Sequence, residues 1–313
     1  MIRFVAVRLA LSVPTLLLVL TVVFVLVRIV PGDPALVVLG DQASQEAIAA
    51  LRVRLGLDRP LMEQYFAFIV NAVQGDWGTS LVTGQPVLSE VAAVLPYTID
   101  LTLASILVGV VLGVPCGIWA ALRRNSLVDY ATRVLSLIGL SFPSFVSGIL
   151  LLLVFAIQLP WFPVINAGGL GDPVVRLRNL VLPSACLGLI MAGYVTRVTR
   201  SAMLEVLSED YIRTARAKGM PRRVIIWQHA LRNALIPVIT VVGLYLGILI
   251  GNSVLVEIVF ARPGLGKLIV GALNQRDYTM LQGLMVVYAF VIVLVNLVTD
   301  LTYSLVDPRV TTR

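Results

Sequence analysis

Six apolar runs, each long enough to cross a bilayer, constrain this 313-residue chain more than any other feature of it. They lie at roughly 9–30, 98–122, 134–158, 180–200, 235–257 and 281–305. A spanning helix needs about 20 apolar residues. Six such spans suit a bilayer better than a soluble core. The chain is 58% hydrophobic and 13% charged, about half the charge of an ordinary soluble domain, and a soluble core of this size could not hide so much apolar surface. The expected fold is all-α: a polytopic membrane protein with six transmembrane helices. The first run exceeds the apolar core of a signal peptide and lacks a small-x-small cleavage site before Pro31-Gly32-Asp33-Pro34, so it reads as an uncleaved span.

The net charge of +7, from 24 Lys and Arg against 17 Asp and Glu, raises the question of nucleic acid. Six spans put both termini on one side. Taking that side as cytoplasmic places fifteen of the 24 basic residues at the inner loops and eight at the outer ones, with Arg28 at a boundary. The inner loops are also shorter in sum. That asymmetry is the positive-inside pattern of membrane loops, so the charge reports topology and no nucleic-acid partner is expected. The expected organisation is a cytoplasmic N-terminus at 1–8, a span at 9–30, an extracytoplasmic segment at 31–97, a five-helix core at 98–305 and a cytoplasmic tail at 306–313.

Two connections are more than links. In the outer one, Leu61, Tyr65, Phe68, Ile69 and Ala72 recur at helical spacing between turn signals, predicting an amphipathic surface helix near 60–73. The inner one, at 201–234, is polar, basic and helix-permissive, and is broken at Gly219-Met220-Pro221. Gly219 suits the left-handed end of one short helix and Pro221 the start of the next. Pro14, Pro115, Pro143, Pro183 and Pro237 fall inside the apolar runs and predict kinks. Around Pro143 the hydroxyls of Ser141 and Ser144 can take the freed hydrogen bond.

Catalytic chemistry is missing. Pro263-Gly264-Leu265-Gly266-Lys267 lacks the spacing and the following hydroxyl of a P-loop. His229 has no metal-ligand pattern around it, there is no Gly-x-Ser-x-Gly elbow, and Cys116 and Cys186 sit in apolar runs as small core or lipid-facing residues. The chain is expected to bind no metal or cofactor and to catalyse nothing alone. Asp100, Glu257 and Asp300 lie near span ends and read as snorkelling or capping groups. No proton relay crosses the midplane and no inverted repeat marks a secondary carrier. A bundle of this kind that moves solute draws on an outside energy source, and the polar inner loop is the candidate receiver.

The motifs agree. EDYIRTARAKG at 209–219 with HALRNALIPVIT at 229–240 resembles the cytoplasmic EAA loop of ABC importer permeases, dipeptide/oligopeptide/nickel branch. RIVPGDP at 28–34, LGLDRPLMEQY at 55–65, GDWGTSL at 75–81, SFPSFVSG at 141–148, EIVFARPGLGKL at 257–268, RDY at 276–278 and NLVTDLTYSLVDPR at 296–309 resemble the first permease of a peptide importer, in the family's order. Two departures stand out. Arg213-Thr214-Ala215 replaces the Glu-Ala-Ala of many permeases, as the peptide branch commonly does, and Thr279 follows RDY where the branch often has proline.

The resemblance implies a type I importer permease bundle with kinked helices. Its partners would be a second, homologous permease, two cytoplasmic ATPases that bind ATP and magnesium, an extracytoplasmic substrate-binding protein, and a di- or oligopeptide substrate. Nickel, another small solute, haem or glutathione are the substrates left open within the branch, and a membrane scaffold is the non-transport alternative. Glu209, Asp210, Tyr211, Arg213, Thr214, Ala215, Ala217 and Gly219 would form the ATPase-coupling element. In it Tyr211 and Ile212 would anchor the partner, the alanines would keep the elbow thin, and Glu209, Asp210, Arg213 and Arg216 would form a charged rim. Pathway or gate residues would be Ser141, Phe142, Phe145, Asn252, Ser253 and Glu257, the last receiving a peptide amine. Tyr65, Phe68 and Trp77 would dock the binding protein.

Overall fold

The computed structural model describes residues 2–29, 34–39, 43–54, 56–165 and 171–306. Of the expected features, residues 31–33 of the first proline turn and 307–313 of the C-terminal tail lie outside the described residues, as does the side chain of Asp300. Among the described residues every named element is helical, apart from one isolated antiparallel bridge between Thr79 and Pro86. In chain order these are α1 (Ile2–Ile29), α2 (Pro34–Leu39), α3 (Gln45–Arg54), α4 (Leu61–Gln74), α5 (Val87–Leu122), α6 (Leu127–Ser141) and α7 (Ser144–Leu152). α7 continues as a π-helical stretch, Leu153–Gln158. Then come α8 (Pro173–Ser208), α9 (Asp210–Ala217) and the single turn α10 (Arg222–Val224), which runs through a second π-helical stretch, Ile225–Ala230, into α11 (Leu231–Val259). α12 (Leu265–Asn274) and α13 (Tyr278–Val306) close the sequence of elements.

Five of these rods are long and apolar enough to cross a membrane, and α6 with α7 makes a sixth as a pair bent by 101°. The bend has a local cause. Proline drives the residue before it out of the helical region, and Phe142 is extended, at ψ 130, immediately before Pro143. The Ser141 hydroxyl donates to the Leu137 carbonyl at 2.8 Å, taking up an acceptor at the broken end. The expected kink at Pro143 is thus a full break. Pro14, Pro183 and Pro237 stay inside continuous helices.

The described residues resolve into two compact units, one within 97–263 with 295–306 and one within 2–96 with 264–294. In the first, α8 is the central rod, and Leu182, Cys186, Leu187, Met191 and Val195 are buried along it. α5 approaches α8 across Gly109, Gly113 and Gly117. A Cβ at Gly113 would lie 2.7 Å from that of Val195 and 2.9 Å from the Ala192 carbonyl, and one at Gly117 2.6 Å from the Thr199 Cβ. Small residues at every fourth position let two helices close to backbone contact, where dispersion and hydrogen bonds hold them in lipid. Thr196 adds such a bond, its hydroxyl donating to the Gly113 carbonyl at 3.2 Å. Cys186 is buried, and its thiol donates to the Ser144 carbonyl at 3.0 Å across to α7.

The second unit packs Val87 and Val91 against Leu265, Ala272, Met280, Leu281 and Leu284. A buried carboxylate staples it. Asp277 caps the start of α13 by accepting the Met280 N–H at 3.0 Å, and it also accepts the Ser80 hydroxyl at 2.5 Å and the Leu81 N–H at 3.3 Å. The GDWGTSL and RDY sequences thereby bind one another.

Candidate functional site

α8 stops at Ser208 because Glu209 is extended, at φ −67 and ψ 148, and α9 starts one residue later. α9 ends on Gly219 at φ +75. The Gly219 N–H reaches the Arg216 carbonyl at 3.0 Å and the Met220 N–H the Ala215 carbonyl at 3.2 Å, the two bonds of a glycine-terminated helix end. Pro221 then opens α10, its carbonyl taking the Val224 and Ile225 N–H groups at 2.9 and 3.2 Å. The result is an elbow whose turn is closed by backbone hydrogen bonds.

Its two faces differ. Ile212 and Ala215 are buried in a cluster with Met203 of α8, Ile118 and Ala121 of α5, and Ile225, Ile226 and Leu231 at the root of α11. Glu209, Asp210, Tyr211, Arg213, Thr214, Arg216, Ala217 and Lys218 are exposed. The expectation that Ile212 anchors an outside protein is therefore corrected. It anchors the elbow to its own bundle, and Ala215 is small to fit that cluster. The remaining rim is polar, and its ion pair of Arg213 to Asp210 at 3.1 Å is exposed on both sides, an arrangement that contributes little stability. Tyr211 is half-exposed, with its hydroxyl accepting from Asn233 Nδ2 at 2.7 Å. Mechanically, a push on α9 reaches α5, α8 and α11 through one apolar cluster.

A second constellation gathers α5, α8 and the end of α11. Glu257 is fully buried and accepts the Thr98 hydroxyl at 2.6 Å. Asp100 holds Arg176 through two bonds of 2.7 and 2.5 Å. A left-handed Ala261 (φ +48) turns the chain so that Arg262 returns beneath it, 1% exposed, 3.9 Å from Asp100 and bonded to the Tyr97 carbonyl at 3.4 Å. Burial pushes the Arg262 guanidinium below its ordinary pKa, and Asp100 and then Glu257 hold it up. Buried charges persist only when paired. Asp100 and Glu257 are thus locked groups, not snorkelling ones, and Glu257 offers no open carboxylate to a passing amine. Of the other pathway residues, Ser141, Phe142, Phe145 and Asn252 are exposed, the first three at the α6–α7 break, whereas Ser253 is buried and donates to the Ile250 carbonyl at 2.8 Å.

In the second unit, α4 is the amphipathic helix expected near 60–73. Tyr65 and Phe68 face α1, with ring centroids 5.4 and 5.8 Å from Phe24, and the Tyr65 and Thr21 hydroxyls bond at 2.8 Å. Trp77 donates its indole N–H to the Ala72 carbonyl at 3.3 Å and packs inward. All three are half-buried and hold α4 down, and Phe68 and Trp77 also line a cleft beside it. Around them opens a cleft of about 450 Å3 lined by Arg54, Arg59, Gln64, Asn71, Asp76 and Gln282 among others.

The sequence reading passed over three features. Gly109, Gly113 and Gly117 carry a visible signal, a G-x-x-x-G-x-x-x-G repeat in an apolar run. The pairing of Asp129 with Arg200 at 2.6 Å and the Asp277 staple join residues far apart in the chain and carry none.

Residues 113–312 match the family described as the binding-protein-dependent transport system inner membrane component, and residues 1–102 match the N-terminal family of the same membrane components. The sequence is 41% identical, over 310 residues and 99% of both chains, to the glutathione transport system permease protein GsiC of Escherichia coli (strain K12). Identity and coverage are the same for the protein of that name from Salmonella typhi. Among solved structures, a chain of the MetNI methionine ABC transporter in an inward-facing conformation superposes with a TM-score of 0.55 at 18% identity, covering 70% of this chain and 96% of that one. That last likeness bears on the fold alone.

Proposed function

The chain belongs to the family of binding-protein-dependent transport system inner membrane components, and from that premise we propose that it is one membrane half of an ATP-driven importer of peptide-class solutes, glutathione included. The carrying observation is the end-to-end 41% identity to permeases named for glutathione transport, a tripeptide. The proposal includes a second homologous permease that completes the pathway, two cytoplasmic ATPases that supply all catalysis, and a binding protein outside. Both termini are cytoplasmic in this reading, as the charge asymmetry implies.

The elbow is the proposed receiver of ATPase motion. Its exposed rim, Glu209 to Lys218, meets the ATPase, while Ile212 and Ala215 pass displacement to three spans. The pathway is proposed to run past Ser141, Phe142, Phe145 and Asn252, which the chain leaves uncovered. Glu257 drops out, because its carboxylate is engaged inside the bundle. Docking of the binding protein is proposed at the cleft beside α4, where Phe68 and Trp77 form part of the wall and Arg54, Arg59 and Asn71 are open to a partner, while Tyr65 holds α4 to α1.

The test is ATP hydrolysis by the complete transporter in lipid, with binding protein added alone, with a pool of di- to pentapeptides, with glutathione, or with nickel. Stimulation by peptides or glutathione supports the proposal. Stimulation by nickel alone assigns the chain to a metal importer and overturns it.

A further inference from the structure

A cavity of about 500 Å3 opens between α6 and α8, and three arginines line it: Arg133, Arg197 and Arg200, with Leu137, Tyr194 and Ser201. No acidic residue is in its wall. The neighbouring carboxylate, Asp129, is fully buried and already saturated. Arg200 grips it through Nε at 2.6 Å and Nη2 at 2.9 Å, and the Asn125 N–H donates to it at 3.0 Å. Arg133 comes only within 3.5 Å of it, and its Nε is buried with no hydrogen-bond partner among the described residues. Arg197 is exposed and forms no ion pair among the described residues.

One carboxylate, shared tightly with Arg200 and loosely with Arg133, against three guanidiniums leaves a net excess of two positive charges at the wall of a cavity. A buried guanidinium N–H with nothing to donate to is costly, and an oxyanion is the group that planar guanidinium donors fit best. The surface beside the arginines is apolar: on α6, Val134, Leu135, Leu137 and Ile138 are 54%, 68%, 54% and 48% exposed. Phosphate alone would satisfy the arginines and leave that surface bare. An amphiphile would use both, and basic pockets between spanning helices are the usual seats of anionic headgroups. We propose that this cavity holds the phosphate of an anionic phospholipid, with an acyl chain along the exposed face of α6. The basic-inside charge distribution assigns the lipid to the cytoplasmic leaflet.

The test uses the assembled transporter extracted from membranes containing both phosphatidylglycerol and phosphatidylcholine, with bound lipid counted by native mass spectrometry. Wild type should retain phosphatidylglycerol in preference. Arg133→Gln combined with Arg197→Gln, which leaves the Arg200–Asp129 pair and hence the fold intact, should weaken that retention about 30-fold, the value for two interfacial basic residues. Arg124→Gln, an exposed arginine outside the cavity wall, should not change it. Equal retention of phosphatidylcholine, or undiminished phosphatidylglycerol in the double variant, overturns the proposal. Displacement of the lipid by inorganic phosphate or by a dipeptide would also overturn it, by making the site one for a soluble anion.

Discussion

α9 and α4 close in the same way: each ends on a left-handed glycine, Gly219 at φ +75 and Gly75 at φ +80, with an N–H bond three residues back and a second spanning five. Their faces are used differently. α9 buries Ile212 and Ala215 and shows the outside a charged rim. α4 buries Tyr65, Phe68, Ile69 and Ala72 to different degrees and still shows an apolar stripe, with Met62, Phe66, Val70 and Val73 at 63%, 60%, 50% and 74% exposure. A short helix with one apolar face is complete once that face is packed. One with two has a second surface to cover, by lipid or by another protein. α9 therefore offers the outside a mainly polar rim, and α4 an apolar stripe that lipid or another protein would cover.

The largest effect that sharpens this contrast is at Ile212. Ile212→Asp places an unpaired carboxylate in the cluster that roots the elbow, at about 3–5 kcal/mol. Thermal unfolding of the detergent-solubilised chain should show that loss, together with failure to recruit the ATPases; a near-wild-type melting temperature would show that α9 is not fixed to the bundle. Next come the paired glycines. Neither Gly219 nor Gly75 has any atom within 4 Å of an added Cβ, so alanine meets only the backbone penalty, about 1–2 kcal/mol at each. Equal losses of stability are expected from Gly219→Ala and Gly75→Ala. Only the first should lower ATP hydrolysis stimulated by the loaded binding protein, and an equal fall in both would remove the elbow's special standing.

Much of this architecture is legible in the sequence because two strong signals dominate it. An apolar run about 20 residues long has one stable answer in lipid, so all six spans are visible. Gly219 and Pro221 write the elbow in backbone preferences alone. Span ends are less legible: α8 continues from Pro173 to Ser208 although its apolar run is nearer 180–200, since helical hydrogen bonding does not stop where hydrophobicity does. The 101° bend is harder still, because Pro143 announces a break and only the surrounding packing decides its angle. The long-range polar pairs are the least legible. Asp100 meets Arg176 across 76 residues, and Glu257 meets Thr98 across 159. Nothing local distinguishes such a carboxylate from one reaching for water, which is why both read as interfacial groups.

A smaller effect separates the inner face of α4 from its outer one. Tyr65→Phe removes a single hydroxyl bond to Thr21 and keeps the ring contacts with Phe24 and Phe66. It should cost about 1 kcal/mol, read from chemical denaturation of the solubilised chain. No loss would mean that the aromatic packing alone holds α4 to α1.

The smallest effect on the chain itself is expected on the outer stripe, and it is the most informative about assembly. Met62 lies in the first turn of α4 and Val73 in its last. An acid at the first and a base at the second both complement the helix dipole, each favourable by about 0.3–1 kcal/mol. Met62→Asp and Val73→Lys should therefore leave the unfolding of the isolated chain unchanged or slightly raised, where charges on a packed face would lower it. In the assembled transporter the same two charges would lie in whatever covers the stripe, and solute uptake or subunit retention should fall. If uptake stays at the wild-type level, the stripe is bare in the working complex, and the difference between α4 and α9 reduces to composition.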